Sequence, residues 1–258
     1  MNVHVALTAA MLTIGALVGV PAAQAATYNL TSDYSDSANP NGAWTYVYDG
    51  STLAHQTAPV ANGNHLIPAV PGGGFFANGA DFNQNTPFVF KAAVNGSSAG
   101  LTDGDFLAGD ILIHSPNDGS KDLIIQWTAP TAGTVSNLSA SAWYAHSSVA
   151  RSNDVTLSLV VAAVTTLIDS ATISSTTHAG RSNAATFADG GPFAVNAGDL
   201  ITLSFLKTAG QQFGSLAGLT ASLDFAPVTT PIPATLPLRM TALAGLGWAG
   251  LRRRKGTA

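Results

Sequence analysis

The amino-acid sequence predicts an all-β fold arranged as one two-sheet sandwich, and three observations predict it. Apolar residues recur with period two through the middle of the chain, Asn-Gly and Asp-Gly pairs punctuate it, and no long amphipathic helical repeat appears there. The 258 residues are 46% apolar but only 9% charged. That is enough apolar surface for a core, and too little charge for a self-repelling disordered chain.

The elements follow in chain order. Trp44, Tyr46 and Tyr48 alternate near the start. The stretches 88–94, 111–114, 123–127 and 136–144 are the next candidate strands. Val155, Leu157, Leu159 and Val161 then alternate with Thr156, Ser158 and Val160, followed by a candidate at 167–173. Ile201, Leu203 and Phe205 alternate with Thr202 and Ser204, and Leu219, Ala221, Leu223 and Phe225 with Thr220, Ser222 and Asp224. Thr, Val, Ile and aromatics suit a pleated, half-buried surface. Asn-Gly begins at Asn41, Asn62, Asn78 and Asn95, and Asp-Gly at Asp49, Asp103, Asp118 and Asp189. These pairs supply the positive φ of tight hairpins. Six of the eight fall between 41 and 104, so that half is expected to be loop-rich. The expected domain is 26–226. Its segments Trp127–Gly133 (Trp-Thr-Ala-Pro-Thr-Ala-Gly) and Asn196–Ile201 (Asn-Ala-Gly-Asp-Leu-Ile) resemble jelly-roll sandwiches of exported bacterial proteins. Asp199 after Gly198 reads as a turn directly before a strand.

Both ends read as targeting segments. Leu7 to Val20 is apolar or small, and Ala23 and Ala25 form an Ala-x-Ala cleavage pattern, so 1–25 reads as a secretory signal peptide. Its n-region carries His4 and the α-amine rather than Lys or Arg. At the other end, 227–235 opens a Pro-rich spacer, and Pro227, Pro231, Pro233 and Pro237 forbid helix or central strand there. Residues 236–251 are apolar except for Arg239 and read as a transmembrane helix. Sixteen helical residues reach about 24 Å against a hydrocarbon core of about 30 Å. Arg252, Arg253, Arg254 and Lys255, in the tail 252–258, act as a stop-transfer cluster and set a cytoplasmic C-terminus.

This order of parts resembles the PEP-CTERM sorting signal of Gram-negative bacteria. The motif around Pro231, Ile232, Pro233, Ala234 and Pro237 is similar to the VPLPA-CTERM variant, with Thr230 and Ile232 where Val and Leu are usual. The resemblance implies processing by an exosortase. It also implies transient anchoring in the inner membrane, release to the cell surface or medium, and association with exopolysaccharide.

Composition narrows the chemistry. There is no cysteine, which excludes disulfides and thiolate chemistry. All fourteen acids are aspartate, so two-carboxylate glycosidase chemistry would run on Asp alone. Five of the ten cations are Arg239 and Arg252–Lys255. The domain 26–226 therefore sets five cations against fourteen aspartates, a net charge of −9. Such a surface is unsuited to nucleic acid.

Few side chains form chemical patterns. Asp103, Asp105 and Asp110 are the densest acidic cluster and the candidate ligands for calcium, although the spacing is not that of an EF-hand. No other cofactor is indicated. Ser98 in Gly-Ser-Ser-Ala-Gly has nucleophile-elbow spacing but is followed by a second turn, not a helix. His4, His55, His65, His114, His146 and His178 show no metal-ligand pairing and read as single loop or strand-end residues. Trp143 and Tyr144 are adjacent and face opposite sides of a strand, so one of them is expected to point outward as a sugar contact. No catalytic residue emerges. The expected protein is a non-catalytic exported surface or extracellular-matrix component associated with exopolysaccharide or biofilm. A carbohydrate-binding module is the alternative, and an Asp-dependent hydrolase a third reading.

Overall fold

The computed structural model describes residues 25–59, 67–70, 72, 74–81, 86–99, 104–146, 149–189 and 191–228. Most of the expected signal peptide, including Ala23, lies outside the described residues. So do the sorting motif Pro231–Pro237, the apolar segment 236–251, the cluster Arg252–Lys255, and Asp103. Gln24–Val228 forms one compact unit.

The fold is all-β. The strands are β1 (Ala26–Asn29), β2 (Trp44–Tyr48), β3 (Ser51–Thr52), β4 (Ala54–Gln56), β5 (Phe75–Ala77), β6 (Phe88–Lys91), β7 (Ile111–His114) and β8 (Leu123–Thr128). They continue as β9 (Gly133–Tyr144), β10 (Ser152–Val161), β11 (Val164–Ser174), β12 (Ala185–Ala188), β13 (Phe193–Val195), β14 (Leu200–Lys207) and β15 (Leu216–Pro227). Helical structure among the described residues is limited to 3-10 turns at Ile67–Ala69, Gly96–Ala99 and Arg181–Asn183. The short strands β3 to β5 occupy the half that the Asn-Gly and Asp-Gly pairs mark as loop-rich. Pro227, expected to open the spacer, instead closes β15 opposite Gly133. A strand end tolerates the missing N–H.

The strands form two antiparallel sheets. One has nine strands in the order β12-β9-β15-β7-β6-β5-β4, with β1 also on β15 and β13 on β9. The other has six, in the order β11-β10-β14-β8-β2-β3. Their facing sides make the main core. Trp44, Ile125, Trp127, Leu157, Leu203 and Phe205 from the six-stranded sheet meet Val135, Leu219, Leu223 and Phe225 from the nine-stranded one. These are the apolar members of the period-two runs, so the alternation set the inner face.

A second core lies on the other face of the nine-stranded sheet. Phe75, Phe88, Phe90, Leu112, Trp143 and Leu216 are covered there by Ala69, Ala92 and Phe106 from loops. Trp143 lies opposite Gly218 of β15. A Cβ at Gly218 would collide with the indole ring, so glycine is what lets the ring lie flat on the sheet. Among the described residues, the buried side chains of the two cores run from Leu30 to Phe225, with Tyr28 packed against the first.

A buried polar lock joins the sheets at one end. Ser115 Oγ donates to Asn153 Oδ1 (2.6 Å), Asn153 Nδ2 donates to the Ser215 carbonyl (3.1 Å), and the Ser215 N–H donates to Ser115 Oγ (2.9 Å). Asn153 belongs to the six-stranded sheet, whereas Ser115 and Ser215 flank β7 and β15 of the other.

Two substitutions test this packing by urea unfolding of residues 26–228. Leu203→Asp buries a charge between the sheets and is expected to cost at least about 3 kcal/mol. Gly218→Val drives methyl groups into Trp143 and is expected to cost about 2 kcal/mol or more. An unchanged midpoint for either variant places that residue outside the core described.

Candidate functional site

Neither residue expected as a sugar contact points outward. Trp143 is 1% exposed and Tyr144 3%. The two do face opposite sides, but both faces of the nine-stranded sheet are covered at this point, so neither side opens to solvent. Trp143 Nε1 donates to the Asp105 carbonyl (2.7 Å), and the Tyr144 hydroxyl donates to the Val149 carbonyl. Phe213, 42% exposed, has the Arg151 guanidinium 5.0 Å from its ring centroid.

The acidic cluster is organised around a cation of the chain itself. Asp110 pairs with the Arg181 guanidinium and accepts the Leu107 N–H (2.8 Å). Asp105 accepts the Arg181 backbone N–H (2.7 Å), and the guanidinium lies 4.9 Å from the Trp143 ring centroid. Asp105 and Asp110 are thus joined through Arg181, a contact between residues more than seventy apart that no local pattern announces. Among the described residues, no group of three or more His, Cys, Asp or Glu is arranged to hold a metal ion.

The other cations of the unit are engaged as well. Lys91 donates to the Thr31 carbonyl (2.9 Å), Lys121 pairs with Asp49 (2.6 Å), Arg151 donates to the Gly214 carbonyl (3.1 Å), and Lys207 donates to the Asn117 carbonyl (2.7 Å). Each fastens a loop, and the surplus of carboxylates sets the sign of the surface.

The outer face of the six-stranded sheet has a different character. Strand register places Thr45 opposite Gln126, Gln126 opposite Thr202, and Thr202 opposite Ser158. One uncharged polar side chain from each of β2, β8, β14 and β10 therefore stands in a single row. Neighbouring strands lie about 4.8 Å apart, so the row spans about 14 Å. Leu167, 58% exposed, extends it onto β11 opposite Ser158.

Ser158 is 7% exposed and Thr202 9%. These short side chains form the floor, with longer neighbours such as Gln126 and Leu167 standing beside them. Within the described residues, the hydroxyls of Thr45, Ser158 and Thr202 make no hydrogen bond, yet none is sealed from solvent. They are not among the buried polar atoms left without a partner, so water reaches them and a hydroxyl of another molecule can take that water's place. Asp154 and Asp122, four residues along the chain from the row, accept hydroxyls of the chain: Thr172 (2.7 Å) and Thr208 (2.9 Å) on Asp154, and Ser204 on Asp122. Asp169 lies on β11 opposite Leu157. The sequence did contain this row, as the polar members of the alternating runs. What it lacked was the strand pairing that aligns them. A depression beside Tyr48, Thr52 and Asn78 holds about 120 Å³, small against the roughly 300–1,000 Å³ of enclosed ligand sites.

One histidine, at a strand end as expected, is deeply buried. His114 ends β7 at 7% exposure, with Nδ1 2.7 Å from the Ser115 carbonyl and its ring 5.1 Å from Phe88 and 6.5 Å from His146. Burial, opposed by the Ser115 hydrogen bond and reinforced by His146 and Arg151, brings its pKa down to about 3.

No protein-family model matches the chain, and no curated protein matches it. Among solved structures, it is similar to the Clostridium thermocellum endo-1,4-β-D-xylanase 10B CBM22-1–GH10 modules complexed with xylohexaose. The identity is 10% and the TM-score 0.31, with 57% of this chain and 26% of that one covered, so the match spans about a quarter of the xylanase chain. It is also similar to the C-terminal family 22 carbohydrate-binding module of the same enzyme, at 7% identity and TM-score 0.31, over 73% of this chain and 89% of that one. Murine APRIL is a third, at 11% identity and TM-score 0.25, over 44% and 97%. No residue role is transferred from any of them.

His114 yields a pH prediction. Its folded pKa of about 3 lies below the ordinary 6.5, so the unfolded chain takes up a proton that the folded one refuses. Stability from this group is complete above pH 6.5 and falls as pH drops toward 3, by up to about 1.4 kcal/mol per pH unit. His114→Leu is expected to remove that slope between pH 6 and 4. Equal slopes in the two proteins contradict the assignment.

Proposed function

We propose that residues 26–226 form a non-catalytic polysaccharide-binding module of an exported, surface-sorted protein, and that the outer face of the six-stranded sheet is its binding surface. The observation that carries this reading is the row Thr45–Gln126–Thr202–Ser158, with hydroxyls left unpartnered on an uncharged face. A polysaccharide offers hydroxyl donors and acceptors along its edges and C–H groups on its ring faces. Hydroxyl and amide side chains answer the first, and aliphatic neighbours such as Leu167 answer the second. Hydrogen bonds from groups that are already largely desolvated cost little to form.

Charge selects among polysaccharides. A unit of net charge −9, with its five cations already engaged, repels polyanions at low salt and presents no free cation to pair with a uronate. Neutral polysaccharide is therefore the ligand class that fits. The C-terminal order of proline motif, apolar segment and arginine cluster supports the sorting half of the proposal: an exosortase removes the tail and leaves the module at the surface beside exopolysaccharide.

Two experiments test this reading. In affinity electrophoresis, residues 26–228 are expected to be retarded by neutral polysaccharides and not by uronate-rich ones, and Thr45→Lys with Gln126→Lys is expected to weaken retardation at least about tenfold. Retention only on acidic gels, or retention indifferent to the two lysines, contradicts it. For sorting, a chain truncated at Val228 is compared with the full-length protein in the native host. The full-length form is expected to lose its C-terminus and reach the surface. Identical fractionation of the two, with an intact C-terminus by mass spectrometry, rejects the sorting proposal.

A further inference from the structure

We infer that this surface reads a run of about four consecutive sugar rings of an extended polymer laid across the strands, and not a monosaccharide or a chain end. The inference rests on the polysaccharide-binding reading and adds ligand length and direction to it. Four observations lead there.

The polar groups are spaced by the sheet itself. Thr45, Gln126, Thr202 and Ser158 come one from each of four adjacent strands, and direct register pairs each with the next. Such a row repeats about every 4.8 Å, perpendicular to the strands. That repeat is on the scale of a single sugar ring in an extended chain, so successive rings meet equivalent groups.

The floor of the row holds the unspent hydrogen-bonding capacity. Ser158 and Thr202 are more than nine-tenths buried, and their hydroxyls have no partner among the described residues. They lie next to one another, with Gln126 on one side and Leu167 on the other. A ligand that bonds both of them and touches Gln126 and Leu167 lies along the row.

The row reaches the sheet edge at one end. At β11, the last strand, it runs out over exposed Leu167. At the other end Thr45 of β2 is followed by β3 and by Asn39, which holds the Tyr46 backbone. A polymer laid along the row can therefore continue past β11.

The row is also uncharged along its length. Asp154 and Asp122 are off its line and already accept hydroxyls of the chain. A neutral backbone crosses it without stranding a charge, whereas a carboxylate set at Gln126 would face the middle of the ligand and lose its own hydration.

The test is a titration of residues 26–228 with a homologous series of neutral oligosaccharides of one to six rings, prepared from whichever neutral polysaccharide retards the protein most. Association is expected to rise at least about tenfold between two and four rings and to level off beyond about four. The monosaccharide is expected not to compete. Gln126→Glu, isosteric and checked for an unchanged melting temperature, is expected to weaken the four-ring ligand at least about tenfold. Full competition by the monosaccharide, affinity that is independent of length, or an indifferent Gln126→Glu variant overturns the inference while leaving polysaccharide binding intact. Failure of every neutral polysaccharide to retard the protein rejects the underlying reading as well.

Discussion

The two sheets are buried unequally, and the rest of the molecule follows from that. The nine-stranded sheet has apolar side chains on both faces where β5, β6, β7, β9 and β15 meet, and it needs a loop layer to cover the second. The six-stranded sheet has one apolar face and one polar face. Loop chemistry is therefore spent behind the nine-stranded sheet. Arg181 ties Asp110 and Asp105 over Trp143, and Phe106 fills the remaining space. The opposite side of the sandwich is left as a plain sheet surface.

This division accounts for the fate of the aromatics. A tryptophan on a strand finds solvent only if its face of the sheet is bare, and Trp143 is on the covered one. Arg181 is taken up by that loop layer, and the other four cations are taken up by loops elsewhere, whose carbonyls and carboxylates need answering. An acidic sandwich with its bases used as loop fasteners is left with neutral side chains as the chemistry that the proposed binding face can offer. Uncharged hydroxyls with open hydrogen-bonding capacity are then the most specific feature that its surface offers.

Much of the main core was legible in the sequence, because period-two runs dictate which side of a strand is apolar. Leu157, Leu203, Leu223 and Phe225 all face inward as the alternation requires. The second core was not legible, since Phe88–Phe90 and Trp143 belong to strands with apolar residues on both sides, where alternation carries no sign. The hairpin joining β10 and β11 also escaped notice. It turns through Ala162 and Ala163 at φ of 48° and 65°, without the glycine or asparagine that normally announces such a turn. Asp199, read correctly as part of a turn before a strand, supports it by accepting the Ala162 N–H (3.2 Å). The polar row was present residue by residue in the sequence, but register is a property of pairing. No local pattern tells that Ser158, Thr202, Gln126 and Thr45 share a line.

The central claim is that the bare face of the six-stranded sheet is where ligand is held. Backbone amide chemical-shift mapping of residues 26–228 with a neutral four-ring oligosaccharide tests it most directly. The account predicts shifts concentrated on Thr45, Gln126, Ser158 and Thr202 and their immediate strand neighbours, with Trp143, Tyr144 and the Arg181 loop unmoved. Shifts centred on that loop, or on the end of the sandwich around Arg151 and Phe213, with the sheet face silent, would contradict it.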